Sequence, residues 1–221
     1  MRPFDFVVGL DLGKEVDPSA LVIVDIRPPV TAPVYLVNHI ERYPLGTPYA
    51  RRLGDERPSI LRHVEGVTRR FPLMLDGEPR CLLVPDQTGV GIAVMDIFRS
   101  SDRLVCPMLP ITITATGKPH PDAGSWHVPK RDLAMVVQKL LQAERLKVNR
   151  QLTMTDQLIK ELRDFRIKFS ASGHDSYDGG ARTDGHSDIL LATACAVWVA
   201  EMRLRGAETP RVSFTYGGGR A

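Results

Sequence analysis

The sequence lacks the features that mark secreted, membrane-spanning or zinc-binding proteins. Only three cysteines occur among its 221 residues, and none has a paired spacing, so we expect reduced core thiols: Cys81, Cys106 and Cys195. The apolar stretch near the C-terminus, residues 189–200, is too short to span a bilayer. An acid, Asp5, interrupts what would be the apolar region of a signal peptide. We therefore expect a soluble protein of the cytoplasm that does not bind membranes.

Neither sign of charge dominates the chain. There are 29 basic and 26 acidic residues, which gives a net charge of +3 and a pI near 8.8. This mild basicity permits a polyanionic partner without requiring one. The length suits one domain with a sizeable core. We predict one domain over residues 1–206 and a flexible C-terminal tail over residues 207–221, where three consecutive glycines occur.

What the sequence does contain is an acid at the edge of a strongly apolar segment, three times and far apart. These acids are Asp11, Asp86 and Asp188. Ionised carboxylates beside apolar surface are costly unless a cation compensates them. If the fold brings the three together, a hard divalent metal with oxygen ligands would suit them. The pattern therefore predicts a metal-dependent phosphodiester nuclease.

Each acid also has a simpler interpretation. Asp11 could be a turn residue at a strand end, Asp86 a helix cap, and Asp188 an acid that favours the dipole of the following helix. Asp17-Pro18 is an ordinary turn pair. The three acids therefore predict a site jointly, because none does so alone.

Hydrophobic periodicity predicts a mixed α/β sheet flanked by helices, with the first strand at its centre. The predicted strands cover residues 4–12, 20–27, 34–41, 80–84 and 104–114. The predicted helices cover residues 49–71, 91–99, 128–143, 155–165 and 189–205, and the predicted loops cover residues 115–125 and 170–183. Ligand sites in such sheets lie at strand ends, where two of the three acids are expected.

Four parts of the chain, in order, carry a resemblance to a known family. They are the first strand with Asp11 and the turn to Asp17; Asp86-Gln87-Thr88-Gly89-Val90-Gly91; residues 128–133 and 158–165, which belong to two later helices; and Gly185-His186-Ser187-Asp188. Together they resemble the nuclease domain of tailed-phage large terminase subunits, which has an RNase H-like fold of the retroviral-integrase type. The resemblance spans about residues 4–205.

The resemblance implies an α/β, RNase H-like domain with a central mixed β-sheet of about five main strands flanked by α-helices. It implies that Asp11, Asp86 and Asp188 hold two Mg²⁺ or Mn²⁺ ions, which lie about 3.5–4 Å apart in such sites. The implied auxiliary residues are Asp17, Asp184 and His186. The substrate would be double-stranded DNA, cut with little sequence specificity. The candidate contacts to its phosphates are Lys118, Lys130 and Arg131, each of which could equally be a solvated surface charge.

One part of the family pattern is missing. No segment reads Gly-x-x-x-x-Gly-Lys-Ser/Thr, so the sequence has no P-loop of an ATPase motor. The chain is either an excised domain or a free-standing nuclease, and its expected partners besides DNA are a terminase ATPase domain, the small terminase subunit and the portal. Two alternatives use the same fold: a structure-selective nuclease for Holliday junctions or RNA–DNA hybrids, and a non-catalytic binding module.

Overall fold

Strands and helices alternate through most of the chain in the computed structural model, which describes residues 4–13, 17–50, 58–89, 91–164, 187–204 and 206. The strands are β1 (Phe6–Asp11), β2 (Ala20–Arg27), β3 (Val34–Arg42), β4 (Met74–Leu75), β5 (Glu78–Pro79), β6 (Cys81–Asp86), β7 (Ile111–Thr114), β8 (His120–Asp122), β9 (Ser125–Pro129) and β10 (Leu146–Val148). The helices are α1 (Ile60–Thr68), α2 (Gly91–Arg99), α3 (Lys130–Gln142), α4 (Thr155–Asp164) and α5 (Asp188–Leu204).

The main sheet has the strand order β10-β3-β2-β1-β6-β7-β9-β8. Strands β1, β2 and β3 form an antiparallel meander, whereas β1, β6, β7 and β9 run parallel. The α/β class and mixed sheet predicted from the sequence are confirmed. The sheet contains eight strands, more than the five main strands predicted; two of the additional strands, β8 and β10, have only three residues each.

Both faces of the sheet are buried. Successive residues of its central strands point to opposite faces, and the residues on both faces are apolar. Val7, Val22 and Val84 lie in one core with α3, α4 and α5. Val8 and Leu21 lie in a second core with α1 and α2. A nearly continuous apolar sequence is what a strand buried on both faces requires, which explains why the central position of β1 was predictable.

Helix α5 lies directly on β1. A Cβ atom built on Gly9 would stand 2.0 Å from the backbone carbonyl oxygen of Ala192. Only glycine permits this approach. The contact fixes the start of α5 near the carboxyl end of β1, because Gly9 faces the same side of the sheet as Asp11 two residues later.

Most of the predicted elements are confirmed to within a few residues, and three predictions are wrong. The helix predicted over residues 49–71 begins only at Ile60, after the N-cap Ser59. The strand predicted over residues 104–114 is confined to β7, which follows Pro107 and Pro110. The loop predicted over residues 115–125 contains β8.

Several predicted features lie outside the described residues. They are the loop 170–183, the tail 207–221, Asp184 and His186. In the segments that are described, no helix combines the length and the apolarity that a bilayer crossing demands.

Candidate active site

Asp11 and Asp86 lie side by side at the carboxyl ends of two parallel strands. Asp11 is the last residue of β1 and Asp86 the last of β6, and the two are direct partners in the register of the sheet. Register partners point their side chains to the same face. Both are buried, with 8% and 5% of their surface exposed. Two acids of the three predicted from the sequence are thus adjacent.

Asp188 approaches them from the helical layer above the sheet. It is the first residue of α5, and its exposed fraction is 5%. Its charge raises the pKa of Asp11, as the charge of Asp86 does, so the three carboxylates are electrostatically close. Asp188 is far from Asp11 and Asp86 in the sequence. The close packing of α5 on Gly9 brings it near them in the fold.

The two strand-end carboxyls are costly to ionise. The pKa of Asp11 is raised well above its usual value, first by burial and then by Asp86, Asp188, Asp17 and Glu161. Burial also raises the pKa of Asp86 to about 6, although hydrogen bonds from Thr88 act in the opposite direction. Crowded, desolvated carboxyls of this kind are typical of functional sites, and a cation would compensate them.

The segment after Asp86 holds that carboxylate in place. The Thr88 backbone N–H donates to Oδ1 of Asp86 at 2.8 Å. The Thr88 hydroxyl accepts from the Ile113 backbone N–H at 2.7 Å, which ties the turn to β7. Gly89 adopts a φ of 79°, a left-handed conformation that favours glycine. The Thr-Gly pair therefore serves a turn that fixes the Asp86 side chain.

Glu161, on α4, is a buried acid of the site that the sequence analysis did not identify. Its Oε2 accepts the Leu190 backbone N–H at 2.8 Å, and its Oε1 accepts from Gln157 at 3.1 Å. Burial raises its pKa, and these hydrogen bonds oppose the shift. Glu161 thereby satisfies a free N–H in the first turn of α5. The available signal was its spacing of three residues from the buried Leu158, on the apolar face of α4.

Arg42 is the second residue that sequence reasoning missed. It ends β3 and stands in the same register row of the sheet as Ala20, Asp11 and Asp86. Its Nη2 donates to Oδ2 of Asp188 at 3.0 Å. A basic side chain therefore lies among the acids of the site. No sequence motif around Arg42 predicts this position.

Of the predicted auxiliary and DNA-binding residues, Asp17, Lys118, Lys130 and Arg131 are described, and they lie at the same end of the sheet as the acids. Asp17 is exposed, yet its charge contributes to the raised pKa of Asp11. Lys118 follows β7 and Lys130 follows β9, both at the carboxyl edge that also holds the acids. The Arg131 guanidinium donates to the Gly117 carbonyl at 3.0 Å. These placements are compatible with the predicted roles and do not test them.

The donors of the site suit a hard cation. Asp11, Asp86 and Asp188 supply carboxylate oxygens, which Mg²⁺ and Mn²⁺ prefer, and their burial leaves negative charge to be compensated. Within the described ranges, no three His, Cys, Asp or Glu side chains already converge on one ion position. The fit is therefore one of donor chemistry and position, without a preformed cage.

The fold is similar to that of solved structures, although the sequence matches no known family. No protein-family model matches the chain, and no protein of curated function matches its sequence. In structure it is similar to the large terminase nuclease from the thermophilic phage G20c, with a TM-score of 0.54, 19% identity, and coverage of 88% of this chain and 82% of that one.

Two further solved structures have the same architecture. The large terminase nuclease domain of P22 has a TM-score of 0.51 at 12% identity, with 91% of this chain and 84% of that chain covered. The g2p large terminase nuclease domain of bacteriophage SPP1, solved with bound Mn, has a TM-score of 0.51 at 11% identity, with 90% and 88% covered. The chain therefore has the RNase H-like α/β fold of the large terminase nuclease domains.

Proposed function

We propose that this chain is a metal-dependent endodeoxyribonuclease that hydrolyses phosphodiester bonds of double-stranded DNA; the solved structures to which it is similar are nuclease domains. One observation carries the proposal. Asp11 and Asp86 are register partners at the ends of adjacent parallel strands, and Asp188 begins the helix packed over them. Burying three carboxylates at one sheet edge costs free energy, which bound cations would offset.

In this proposal Asp11, Asp86 and Asp188 hold two divalent cations, Mg²⁺ or Mn²⁺. The cations would supply the positive charge that activates a water for attack and stabilises the leaving 3′-oxygen. The chain itself orients the ligands: the Thr88 N–H fixes Asp86, and Glu161 holds the first turn of α5 through Leu190. Asp17, Asp184 and His186 are proposed auxiliary groups.

Lys118, Lys130 and Arg131 are proposed to contact the phosphates of DNA. Their position at the carboxyl edge of β7 and β9 supports this role. Phosphate contacts carry no sequence information, so cleavage should show little sequence preference and binding should weaken with salt. We further propose that the chain acts in the cytoplasm of a bacterial host, with an ATPase domain, a small terminase subunit and a portal as partners.

The test is incubation of the purified chain with supercoiled plasmid in Mn²⁺, Mg²⁺, Ca²⁺ or EDTA. We expect nicking and linearisation with Mn²⁺ or Mg²⁺ and none with EDTA. Ca²⁺ should fail, because it accepts looser coordination and activates water poorly. Asp25→Asn is the control variant: Asp25 pairs with Phe6 at the opposite end of β1 and should leave cleavage unchanged.

Substrate preference separates this proposal from its alternatives. Matched duplex, RNA–DNA hybrid and four-way-junction oligonucleotides should be compared at equal concentration. Faster cleavage of the hybrid or the junction would replace terminase-like duplex cleavage by a structure-selective activity of the same fold. Cleavage that persists in EDTA or in Asp11→Asn would refute the assignment of the site.

A further inference from the structure

Arg42 is a cation built into the acidic site. Its Nη2 lies 3.0 Å from Oδ2 of Asp188, and its positive charge opposes the raised pKa of Glu161. The Arg42 side chain is 25% exposed, so the pair is largely shielded from solvent. A shielded, charge-assisted hydrogen bond is stronger than a surface ion pair. Arg42 thus compensates one of the three acids without any metal.

The contacts of Arg42 are incomplete. Its Nε is buried and has no hydrogen-bond partner among the residues that the structure describes. An unpaired buried donor costs free energy and contributes nothing to holding the side chain. The Arg42 guanidinium is therefore held chiefly by its ion pair with Asp188. A side chain with that arrangement can leave its carboxylate without breaking a larger network.

A second arginine, Arg145, pairs with another acid of α5 and shows the contrasting arrangement. The Arg145 guanidinium donates to Oε1 of Glu201, which also accepts from the Tyr35 hydroxyl at 2.8 Å. The Arg145 Nε–H donates to the Pro33 carbonyl at 2.9 Å, and its guanidinium lies over the Tyr35 ring. Glu201 is near the end of α5, whereas Asp188 begins it. Arg145 is therefore anchored by several partners, and Arg42 is not.

We propose that Arg42 is a displaceable counter-ion that competes with the divalent cation for Asp188 and so sets the metal concentration at which the site fills. The inference rests on the proposed function, since it assumes that Asp188 is a metal ligand. The same carboxylate oxygen cannot be fully engaged by a guanidinium and by a metal ion together. In the metal-free chain, Arg42 lowers the repulsion among the acids; when a cation binds, Arg42 has to yield.

Displacement would also give Arg42 a second use. It stands at the sheet edge that holds the acids, and that edge is where the DNA phosphates are proposed to bind. A guanidinium released from a carboxylate is well suited to a phosphate oxygen, for which its planar donors have the right geometry. Metal binding and DNA binding would then favour each other through one side chain.

The test measures Mn²⁺ binding by isothermal titration calorimetry on three proteins: wild type, Arg42→Met and Arg145→Met. Without its competitor, Asp188 should bind metal more tightly, so Kd for Mn²⁺ should fall about tenfold in Arg42→Met. Arg145→Met should keep the wild-type Kd. In EDTA both variants should melt below the wild type, but Mn²⁺ should raise the Tm of Arg42→Met by more than that of the wild type or Arg145→Met.

The outcomes separate this inference from the proposed function. If the wild type binds Mn²⁺ and Arg42→Met binds it equally or more weakly, Arg42 is a structural partner of Asp188 and the inference is overturned while the nuclease proposal stands. If none of the three binds Mn²⁺ at millimolar concentration, both fail. Should Arg42→Met not fold, Arg42→Gln gives the same comparison, since it keeps a donor for Asp188 and loses the charge.

Discussion

Replacing Asp86 with asparagine should make the metal-free protein more stable while it abolishes cleavage. Asp86 is 5% exposed, and burial raises its pKa to about 6. Asparagine has nearly the same shape and no charge. Its side-chain oxygen can still accept the Thr88 backbone N–H that Asp86 accepts at 2.8 Å. The substitution therefore removes the cost of the buried charge and keeps the local hydrogen bond.

The size of the gain follows from the pKa difference. An unfolded aspartate titrates at 3.8, and the folded value is about 6. Because the folded pKa is raised, the protonated carboxyl stabilises the fold, and that stability is lost as the pH rises from the lower value through the higher one. A pKa difference of about two units means that the ionised Asp86 lowers the free energy of unfolding by about 3 kcal/mol above pH 6. Asp86→Asn should recover most of this at pH 8, and about half as much at pH 5.

The assay is urea unfolding in EDTA at pH 5 and pH 8, with Asp102→Asn as the control. Asp102 is an exposed acid outside the site, so its removal should change the free energy of unfolding little at either pH. Adding Mn²⁺ should stabilise the wild type and not Asp86→Asn. A variant that is less stable than the wild type at pH 8, or a gain of equal size at both pH values, would refute the reasoning.

Three further predictions concern the same end of the sheet. Asp11→Asn and Asp188→Asn should each eliminate Mn²⁺-dependent plasmid nicking and leave the circular dichroism spectrum unchanged, because each removes a proposed ligand from a folded site. Asp17→Asn should slow single-turnover cleavage by roughly 10–100-fold if Asp17 orients a ligand or water; an unchanged rate would remove it from the site. Gly9→Ala should lower the free energy of unfolding by about 1–3 kcal/mol, because its methyl group would meet the Ala192 carbonyl at 2.0 Å. Its control, Gly66→Ala in α1, meets nothing within 4 Å and should raise stability by about 0.5–1 kcal/mol.

The parts of the fold that were predictable are those with strong local signals. Strands β1 and β6 have continuous apolar sequences that end in an acid, and the apolar run of α5 begins at one. The short strands β8 and β10 were not predictable, because three residues carry too little pattern to distinguish a strand from a loop. Their existence depends on pairing with β9 and β3.

The site divides in the same way. Asp11, Asp86 and Asp188 were identified because each charge interrupts apolar sequence, which is locally visible. Arg42 and Glu161 were missed because a charged residue at the end of a strand or on an amphipathic helix is ordinary in sequence. Only the packing of β3 and α4 against the start of α5 brings them to the acids. A tertiary contact of this kind leaves no mark on the sequence near either residue.

The contact between α5 and β1 has a consequence for folding. It joins the first strand to the last described helix, so the core of the sheet closes only through a contact between distant parts of the chain. Forming such a contact requires a long loop to be ordered first, which slows folding. During synthesis, the apolar face of β1 stays uncovered until α5 has been made, and an uncovered apolar face favours aggregation. The same order keeps Asp188 away from Asp11 and Asp86 until the fold is complete, so the three acids come together only in a finished chain.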